Sequence, residues 1–148
     1  MAKGKQKMTV EELRYSVNRF DRQVKVKGRN KGWFLDLFWL AYAGKKLYVS
    51  PKALYADLNW RAGMEYCAKL GGEAHDVTWL DSLVDRRTGR AELVAGAKAI
   101  GIKTGWHWAK QEVAGDPDYA RVVSLGYGDV YGCSKDGSNY VRPVRLSQ

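Results

Sequence analysis

The last third of the chain alternates between strand-like segments and tight turns, and this pattern restricts the possible folds more than any other feature of the sequence. Residues 126–129 and 135–138 are rich in Gly and Asp, which favour tight turns. The segments 119–125, 130–134 and 139–146 have the composition of strands. Because strands joined by short turns pair with their neighbours, the sequence predicts a three-stranded antiparallel meander here.

The middle of the chain carries helix signals instead. Asn59 is a good N-cap for a helix over 60–70, and a pair of glycines ends that helix. Two shorter helices are predicted over 79–84 and 91–100, the first of them capped by Thr78. Helices that precede an antiparallel sheet indicate an α+β fold.

Most of the charge lies in the N-terminal segment. Residues 1–31 contain ten Lys and Arg against three Asp and Glu, a net charge of +7, whereas residues 32–148 contain fifteen against thirteen, or +2. A basic segment attracts phosphate, acidic lipid or an acidic protein face, and salt weakens that attraction. We therefore divide the chain into a basic tail and helix over 1–31 and a globular domain over 32–148.

An amphipathic helix is predicted over residues 9–27. Thr9 and Glu12 form a capping box, and apolar residues follow at steps of three and four. This stripe packs either on the body of the protein or against copies of itself, which would make it a self-association seam. Residues 23–27 also alternate as a strand does, so the end of the helix stays open. The stripe consists of Val10, Leu13, Val17, Phe20 and Val24.

Residues 33–43 are aromatic and apolar on both faces, which is typical of a buried strand. The turn at 44–46 and the apolar segment 47–50 predict that the chain returns as the second strand of a hairpin. The run at 33–43 is much shorter than the roughly 20 residues of a membrane span. Since the charged N-terminus lacks an apolar stretch, we expect no signal peptide, no membrane span and synthesis in the cytoplasm.

Few residues of the sequence are suited to catalysis or metal binding. His75 and His107 are the two histidines, and neither stands in a metal-ligand or nucleophile motif. Cys67 and Cys133 make no disulfide framework, so free thiols are expected. We therefore predict no enzyme activity, no catalytic residue, no cofactor and no metal site.

Two polar clusters leave calcium as an open alternative. Asp116 and Asp118 lie close together, and Asp136 shares a turn with Ser138 and Asn139. Calcium needs several oxygen ligands at one place, which such clusters can supply. Both clusters are explained more simply as turn residues.

The segment 105–110 has the composition of a binding surface. In a strand, Trp106 and Trp108 share one face and His107 points to the other. Either both tryptophans belong to the core, or they form an aromatic platform for a sugar or a peptide that nearby tyrosines extend. The predicted ligand-binding residues are Trp106, His107, Trp108, Lys110, Tyr127 and Tyr131.

The cations of the N-terminal segment form a rival site. Phosphate contacts need Lys and Arg arrayed on one surface, and Lys3, Lys5 and Lys7 would extend such a surface as a flexible arm. The alternative is an ordinary solvated face. The sequence shows no recognisable motif for base-specific recognition. The predicted residues that bind phosphate or an acidic partner are Arg14, Arg22, Lys25, Arg29 and Lys31.

Several segments between residues 59 and 145 follow a known family pattern. Trp108 stands four residues before Glu112, an alternating strand leads to Gly128, and residues 140–145 read Tyr-Val-Arg-Pro-Val-Arg. Residues 60–72 look like the first helix of the same pattern. Together they resemble the bacterial and phage domains grouped as DUF1566, also called Lcl C-terminal-like domains. The family's Trp-Arg-Leu-Pro segment is absent, and Pro143 replaces a closing cysteine.

The resemblance implies a C-type-lectin-like fold and recognition of a ligand or surface, without implying a catalytic site. We therefore predict a non-enzymatic binding or assembly module that recognises a protein or glycan surface. A phage particle or another multi-subunit assembly is one setting for such a module. The alternative is a nucleic-acid-binding accessory protein that acts through the basic N-terminal helix.

Overall fold

A computed structural model of the protein describes residues 8–146 and confirms the predicted α+β class. Short helices and strands mix along the whole chain. The helices are α1 (Val10–Arg14), α2 (Arg19–Arg22), α3 (Leu37–Ala43), α4 (Trp60–Lys69), α5 (Val77–Asp81) and α6 (Ala95–Ala99). The strands are β1 (Gln23–Lys25), β2 (Phe34–Asp36), β3 (Leu47–Val49), β4 (Ala56–Leu58), β5 (Val84–Asp85), β6 (Glu92–Leu93), β7 (Trp106–Val113), β8 (Asp116–Ser124), β9 (Val130–Ser134), β10 (Asn139–Val141) and β11 (Val144–Leu146).

The strands form two main sheets and one small ribbon. The first sheet has the order β1-β2-β3-β11, and all its neighbours are antiparallel. The second has the order β4-β10-β7-β8-β9, and its only parallel pair is β10 with β7. Strands β5 and β6 pair with each other. The chain therefore crosses from the second sheet to the first between β10 and β11.

The predicted C-terminal meander is partly wrong. A meander exists, but it consists of β7, β8 and β9, and β10 lies on the far side of β7 beside β4. Strand β9 has the predicted bounds, whereas the predicted last strand over 139–146 is two strands in different sheets. Arg142 and Pro143 separate them, and proline cannot donate a ladder hydrogen bond.

The predicted single helix over 9–27 is also wrong. The capping box of Thr9 and Glu12 is present, but α1 ends at Arg14, and Asn18 then caps α2. Leu13 is buried, whereas Val17 and Phe20 of the predicted apolar stripe are 78% and 58% exposed. Residues 23–25 form a strand that pairs with β2, so both sides of the predicted boundary at residue 31 share one sheet.

For the hairpin predicted over 33–50, the antiparallel pairing of the two strands is confirmed, whereas the predicted turn between them is wrong. Strands β2 and β3 pair antiparallel, but residues 37–43 form helix α3 between them. Asp36 begins this helix, because its carboxylate accepts hydrogen bonds from the backbone N–H groups of Phe38 and Trp39. An apolar run of this length does not distinguish a buried strand from a helix, so the N-cap decides.

In the middle of the chain, the predicted helix after Asn59 is confirmed with its N-cap. The helix predicted over 79–84 is α5, which Asp76 rather than Thr78 caps. The helix predicted over 91–100 is shorter, because residues 92–93 pair with β5 before α6 begins. Of the helices within residues 8–146, none has the length and apolar character that crossing a bilayer requires.

The largest core cluster lies between the two sheets and the short helices, around the buried side chains of Trp79, Leu83 and Val123. A separate cluster around Trp108, Ala120 and Val122 packs on the opposite face of the second sheet. Cys67 and Cys133 are both free thiols, as predicted. The second sheet is therefore covered by apolar side chains on both faces, and it supplies a rigid base for the surfaces described next.

Candidate binding groove

Strand β7 places its two tryptophans on one face of the second sheet and His107 on the other. Trp108 is fully buried, and its indole Nε1 donates a 2.8 Å hydrogen bond to the Leu58 carbonyl. Trp106 is only half-buried at the margin of the same cluster. Each of the two interpretations therefore applies to one residue. Trp108 belongs to the core, whereas Trp106 reaches the surface, as an aromatic platform requires.

Trp106 meets Tyr131 of β9 at the surface. Their ring centroids lie 5.6 Å apart with the planes tilted by 37°, and Tyr131 is 56% exposed. Val122 lies opposite Tyr131 in the sheet and forms the floor between the two rings. The shallow cavity at this point has a volume of about 330 Å³, and it is lined by Trp106, Val122, Tyr131, Gly132, Cys133 and Asn139.

A second cavity of about 250 Å³ adjoins the first. Trp106 and Asn139 line both, so the two cavities are neighbouring parts of one surface groove. The second cavity adds Asp57 and Ser138 to the lining, and both residues are exposed. We call this surface the Trp106 groove, and its residues are Asp57, Gly105, Trp106, Val122, Tyr131, Gly132, Cys133, Ser138, Asn139 and Tyr140.

Only two of the six predicted ligand-binding residues, Trp106 and Tyr131, line the groove. His107 and Trp108 are buried, and Lys110 is exposed elsewhere, where its Nζ lies 2.9 Å from the carboxylate of Glu73. Tyr127 is 76% exposed at the turn between β8 and β9, outside the groove lining.

The polar residues of the groove were missed by sequence reasoning. Asp57 belongs to β4, which reaches the groove only because β10 pairs with it, and no local pattern signals that pairing. Asn139 was predicted as the start of the last strand and as a member of a polar turn cluster, without any sign of a binding surface. In the structure it begins β10, and its amide donates to the Cys133 Sγ at 3.5 Å. Both residues are recognisable only once the strand order is known.

His107 belongs to a buried chain of hydrogen bonds. Its Nδ1 lies 2.9 Å from the Gly105 carbonyl, which can only accept, so Nδ1 carries the proton. Its Nε2 therefore accepts from the Tyr55 hydroxyl at 2.5 Å, and that hydroxyl accepts from the Lys103 N–H at 3.0 Å. Burial lowers the pKa of His107 to about 4, so the ring is neutral at physiological pH.

Arg142, His75 and Ser50 lie beside this chain at the crossing between the two sheets. All three are buried, and within residues 8–146 neither ring nitrogen of His75, nor Nη1 or Nη2 of Arg142, has a hydrogen-bond partner. Burial lowers the pKa of His75 well below its usual range, and the charges of His107 and Arg142 act in the same direction. We call Ser50, Tyr55, His75, His107 and Arg142 the Arg142 cluster.

The predicted basic surface is divided by the fold. Arg22, predicted as a residue that binds phosphate or an acidic partner, does not reach the surface, because its guanidinium is fully buried against Asp36. Arg14 is half-buried and donates to the Val84 carbonyl at 3.2 Å. Lys25, Arg29 and Lys31 are exposed on β1 and on the connection to β2, so these three share one end of the first sheet.

The proposed arm of Lys3, Lys5 and Lys7 lies outside the described residues. Within residues 8–146, no group of three or more His, Cys, Asp or Glu side chains is placed to hold a metal ion. No protein-family model matches this chain, and no match was found among curated proteins or solved structures. The geometry of the described residues is therefore what a functional assignment has to rest on.

Proposed function

We propose that this protein is a non-enzymatic binding module that recognises a protein or glycan surface through the Trp106 groove. The observation that carries the proposal is the pair of Trp106 and Tyr131 at the surface, in a groove that the polar residues Asp57 and Asn139 also line. Aromatic faces bind apolar surface, and a few fixed polar groups orient the ligand. This combination favours a sugar, whose rings present C–H faces and hydroxyl edges together.

The wider setting of this function is also a proposal. The resemblance of residues 59–145 to DUF1566 domains favours a C-type-lectin-like fold and a role in a phage particle or another multi-subunit assembly. Pairing of the last strand, β11, with the much earlier β3 is compatible with such a fold. We propose synthesis in the cytoplasm on the sequence grounds given above. Fold alone would not determine the ligand.

A binding assay with matched variants tests the proposal. The full chain is applied to a panel of immobilised oligosaccharides, and ligands found there are titrated in solution by tryptophan fluorescence. We expect at least a tenfold weaker affinity for Trp106→Ala and Tyr131→Ala, since each stacked aromatic contributes about 1–3 kcal/mol. Tyr127→Ala is the control, because Tyr127 is an exposed tyrosine outside the groove lining.

Three outcomes would contradict this assignment. If no oligosaccharide binds at millimolar concentration, the glycan form of the proposal fails. If an oligosaccharide binds and Trp106→Ala binds it as well as the wild type does, the groove is not the site. Loss of binding in Tyr127→Ala but not in Tyr131→Ala would move the site to the turn between β8 and β9.

The alternative function is binding of nucleic acid or another polyanion through the exposed cations of the β1–β2 connection. Lys25, Arg29 and Lys31 are exposed there, and the sequence has no acidic residue between Asp21 and Asp36. Each phosphate contact adds close to one unit to the salt slope of log K. The triple variant Lys25→Gln, Arg29→Gln, Lys31→Gln should flatten that slope by about two to three units on generic DNA. Lys45→Gln with Lys46→Gln is the control.

Self-association is a separate proposal about the N-terminal helices. Leu13 of α1 and Phe20 of α2 line, with Leu37 and Leu40 of α3, an apolar cavity of about 670 Å³. Phe20 is 58% exposed at its rim. A Phe20→Ser variant that leaves the solution mass unchanged would show that this surface does not join copies of the chain.

A further inference from the structure

Arg142 is buried without a counterion, which is a rare situation for an arginine. Its side chain is fully buried, and within residues 8–146 no Asp or Glu forms an ion pair with it. Burial lowers its pKa to about 10, so it carries a positive charge at neutral pH. Removing an unpaired charge from water is costly, and buried charges in proteins are therefore normally compensated.

The hydrogen-bond donors of Arg142 are also largely unused. Its Nε donates a 2.9 Å hydrogen bond to the Ser50 carbonyl. The other N–H groups, on Nη1 and Nη2, have no partner among the described residues. A guanidinium carries five N–H donors, and such groups in a protein interior are almost always satisfied by protein, water or an ion.

Other unused polar groups lie nearby. The antiparallel bridge between Glu73 and Val144 brings the segment of His75 beside the segment of Arg142, and, besides burial, the charge of Arg142 contributes to the lowered pKa of His75. Ser50 is held beside them, because its N–H donates to the Pro143 carbonyl at 3.0 Å. The Ser50 hydroxyl and both His75 nitrogens lack partners among residues 8–146. Arg142, Ser50 and the one N–H of the neutral His75 ring thus supply unused donors in this part of the interior.

The neighbouring groups supply no negative charge. The Tyr55 hydroxyl is engaged with His107 and with the Lys103 backbone. The Arg142 guanidinium lies 5.3 Å from the Tyr55 ring centroid and acts to lower the pKa of Tyr55, but burial outweighs it and raises that pKa to about 12, so the hydroxyl stays neutral. His107 uses both ring nitrogens, one for Tyr55 and one for the Gly105 carbonyl. The ammonium of Lys103, 5.1 Å from the Tyr55 ring centroid, adds further positive charge on the outer side.

We propose that the Arg142 cluster is an internal binding site for a small monovalent anion of about the size of chloride, held between Arg142, His75 and Ser50. The uncompensated charge of Arg142, the unused N–H donors on its Nη1 and Nη2 and the lack of an acidic partner among the described residues favour an anion over water, because water brings no negative charge. The anion neutralises Arg142 at the point where the chain crosses from β10 to β11. Its role is structural, and it is independent of the Trp106 groove.

Replacement of an inert anion by chloride tests the site. The full chain is unfolded thermally in sodium gluconate, which is too large for the site, and then in mixtures with sodium chloride at constant ionic strength. We expect a saturable rise of the midpoint by about 5 °C or more once chloride exceeds its Kd about a hundredfold. Arg142→Met should abolish the rise, and Arg61→Met, which removes an exposed arginine from α4, should keep it.

Bromide in crystals of the wild-type protein gives a second readout that does not need the variant to fold. An anomalous peak in contact with the Arg142 guanidinium supports the proposal. Water at that position with no bromide peak would overturn it, as would a midpoint insensitive to exchange of gluconate for chloride. The same conclusion would follow if Arg142→Met kept the full chloride dependence.

Discussion

Two arginines are completely buried in this protein, and their surroundings are opposite in character. Arg22 lies where α2 meets β1, and its Nε and Nη2 donate to both carboxylate oxygens of Asp36 at 3.2 and 3.3 Å. Its Nη1 donates to the carbonyls of Arg14 and Ser82. Arg142 lies where the chain leaves β10, and it has one hydrogen bond, to the Ser50 carbonyl. The first charge is fully paired and the second is not.

The difference shows two ways of placing a charge inside a fold. The pair of Arg22 and Asp36 connects elements that are distant in the sequence, because Asp36 also accepts from the Trp79 indole and begins α3. Such a network fixes local geometry and is sensitive to the loss of any member. The Arg142 cluster is incomplete in the protein alone, so its stability should depend on the solution as well as on the sequence.

The largest effect is expected from Asp36→Ala. The change leaves the Arg22 guanidinium and the Trp79 indole N–H buried without their acceptor and removes the N-cap of α3. We expect a loss of about 4 kcal/mol in the free energy of unfolding, measured by urea denaturation. Asp118→Ala, at an exposed position, should change it by less than about 0.5 kcal/mol. If Asp36→Ala lowers the free energy of unfolding by no more than Arg142→Met does, the contrast between the two arginines is removed.

Acid should destabilise the protein through the two buried histidines of the Arg142 cluster. The unfolded chain protonates His107 near its ordinary pKa of 6.5, whereas the folded protein protonates it only near 4. Between these values the unfolded state binds more protons, so stability falls as the pH is lowered through this window. We expect a loss on the order of 3 kcal/mol by pH 4, to which the lowered pKa of His75 adds in the same direction. An NMR titration of the His107 ring with a midpoint near 6.5 would contradict this expectation.

Tyr55→Phe should produce the smallest of these effects. The variant keeps the ring and removes the hydroxyl that joins His107 Nε2 to the Lys103 N–H. We expect a loss of about 1.5 kcal/mol in the free energy of unfolding, because a buried acceptor is left unsatisfied. The control is Tyr42→Phe, since Tyr42 is 57% exposed on α3. Equal effects of the two changes would mean that the Tyr55 hydroxyl contributes nothing to the cluster.

Local signals in the sequence predicted the elements that local forces determine. Helix α4 has its Asn59 cap, and β9 lies between two Gly-containing turns, so both were placed correctly. The N-terminal helix was predicted wrongly because its end depends on the ion pair between Arg22 and Asp36, two residues that lie 14 positions apart in the sequence. An apolar stripe does not show that the chain must turn at Asn18 to bury a cation.

The residues of the candidate sites also differ in whether the local sequence could identify them. Trp106 and Tyr131 were among the predicted ligand-binding residues, because strand alternation grouped Trp106 with Trp108 and Tyr131 was expected nearby. Alternation did not show that Trp108 would be buried and Trp106 would reach the surface. Asp57 was not identified, because it reaches the groove only through the pairing of β4 with β10. Arg142 was not identified as a buried charge either, since a Tyr-Val-Arg strand ordinarily places its arginine in solvent. Asp57 and Arg142 can be identified only from the strand order and from burial in the structure, not from the composition of the sequence.

The crossing at Arg142 and Pro143 has a consequence for how the polypeptide acquires its shape during synthesis. Strand β10 stands between β4 and β7, and β11 pairs with β3, so residues 139–146 join segments made from about thirty to about a hundred residues earlier. Neither sheet can be completed on the ribosome until this stretch has emerged from the exit tunnel. Contacts of such long sequence separation slow folding, and we expect both sheets to be completed in one late, cooperative step.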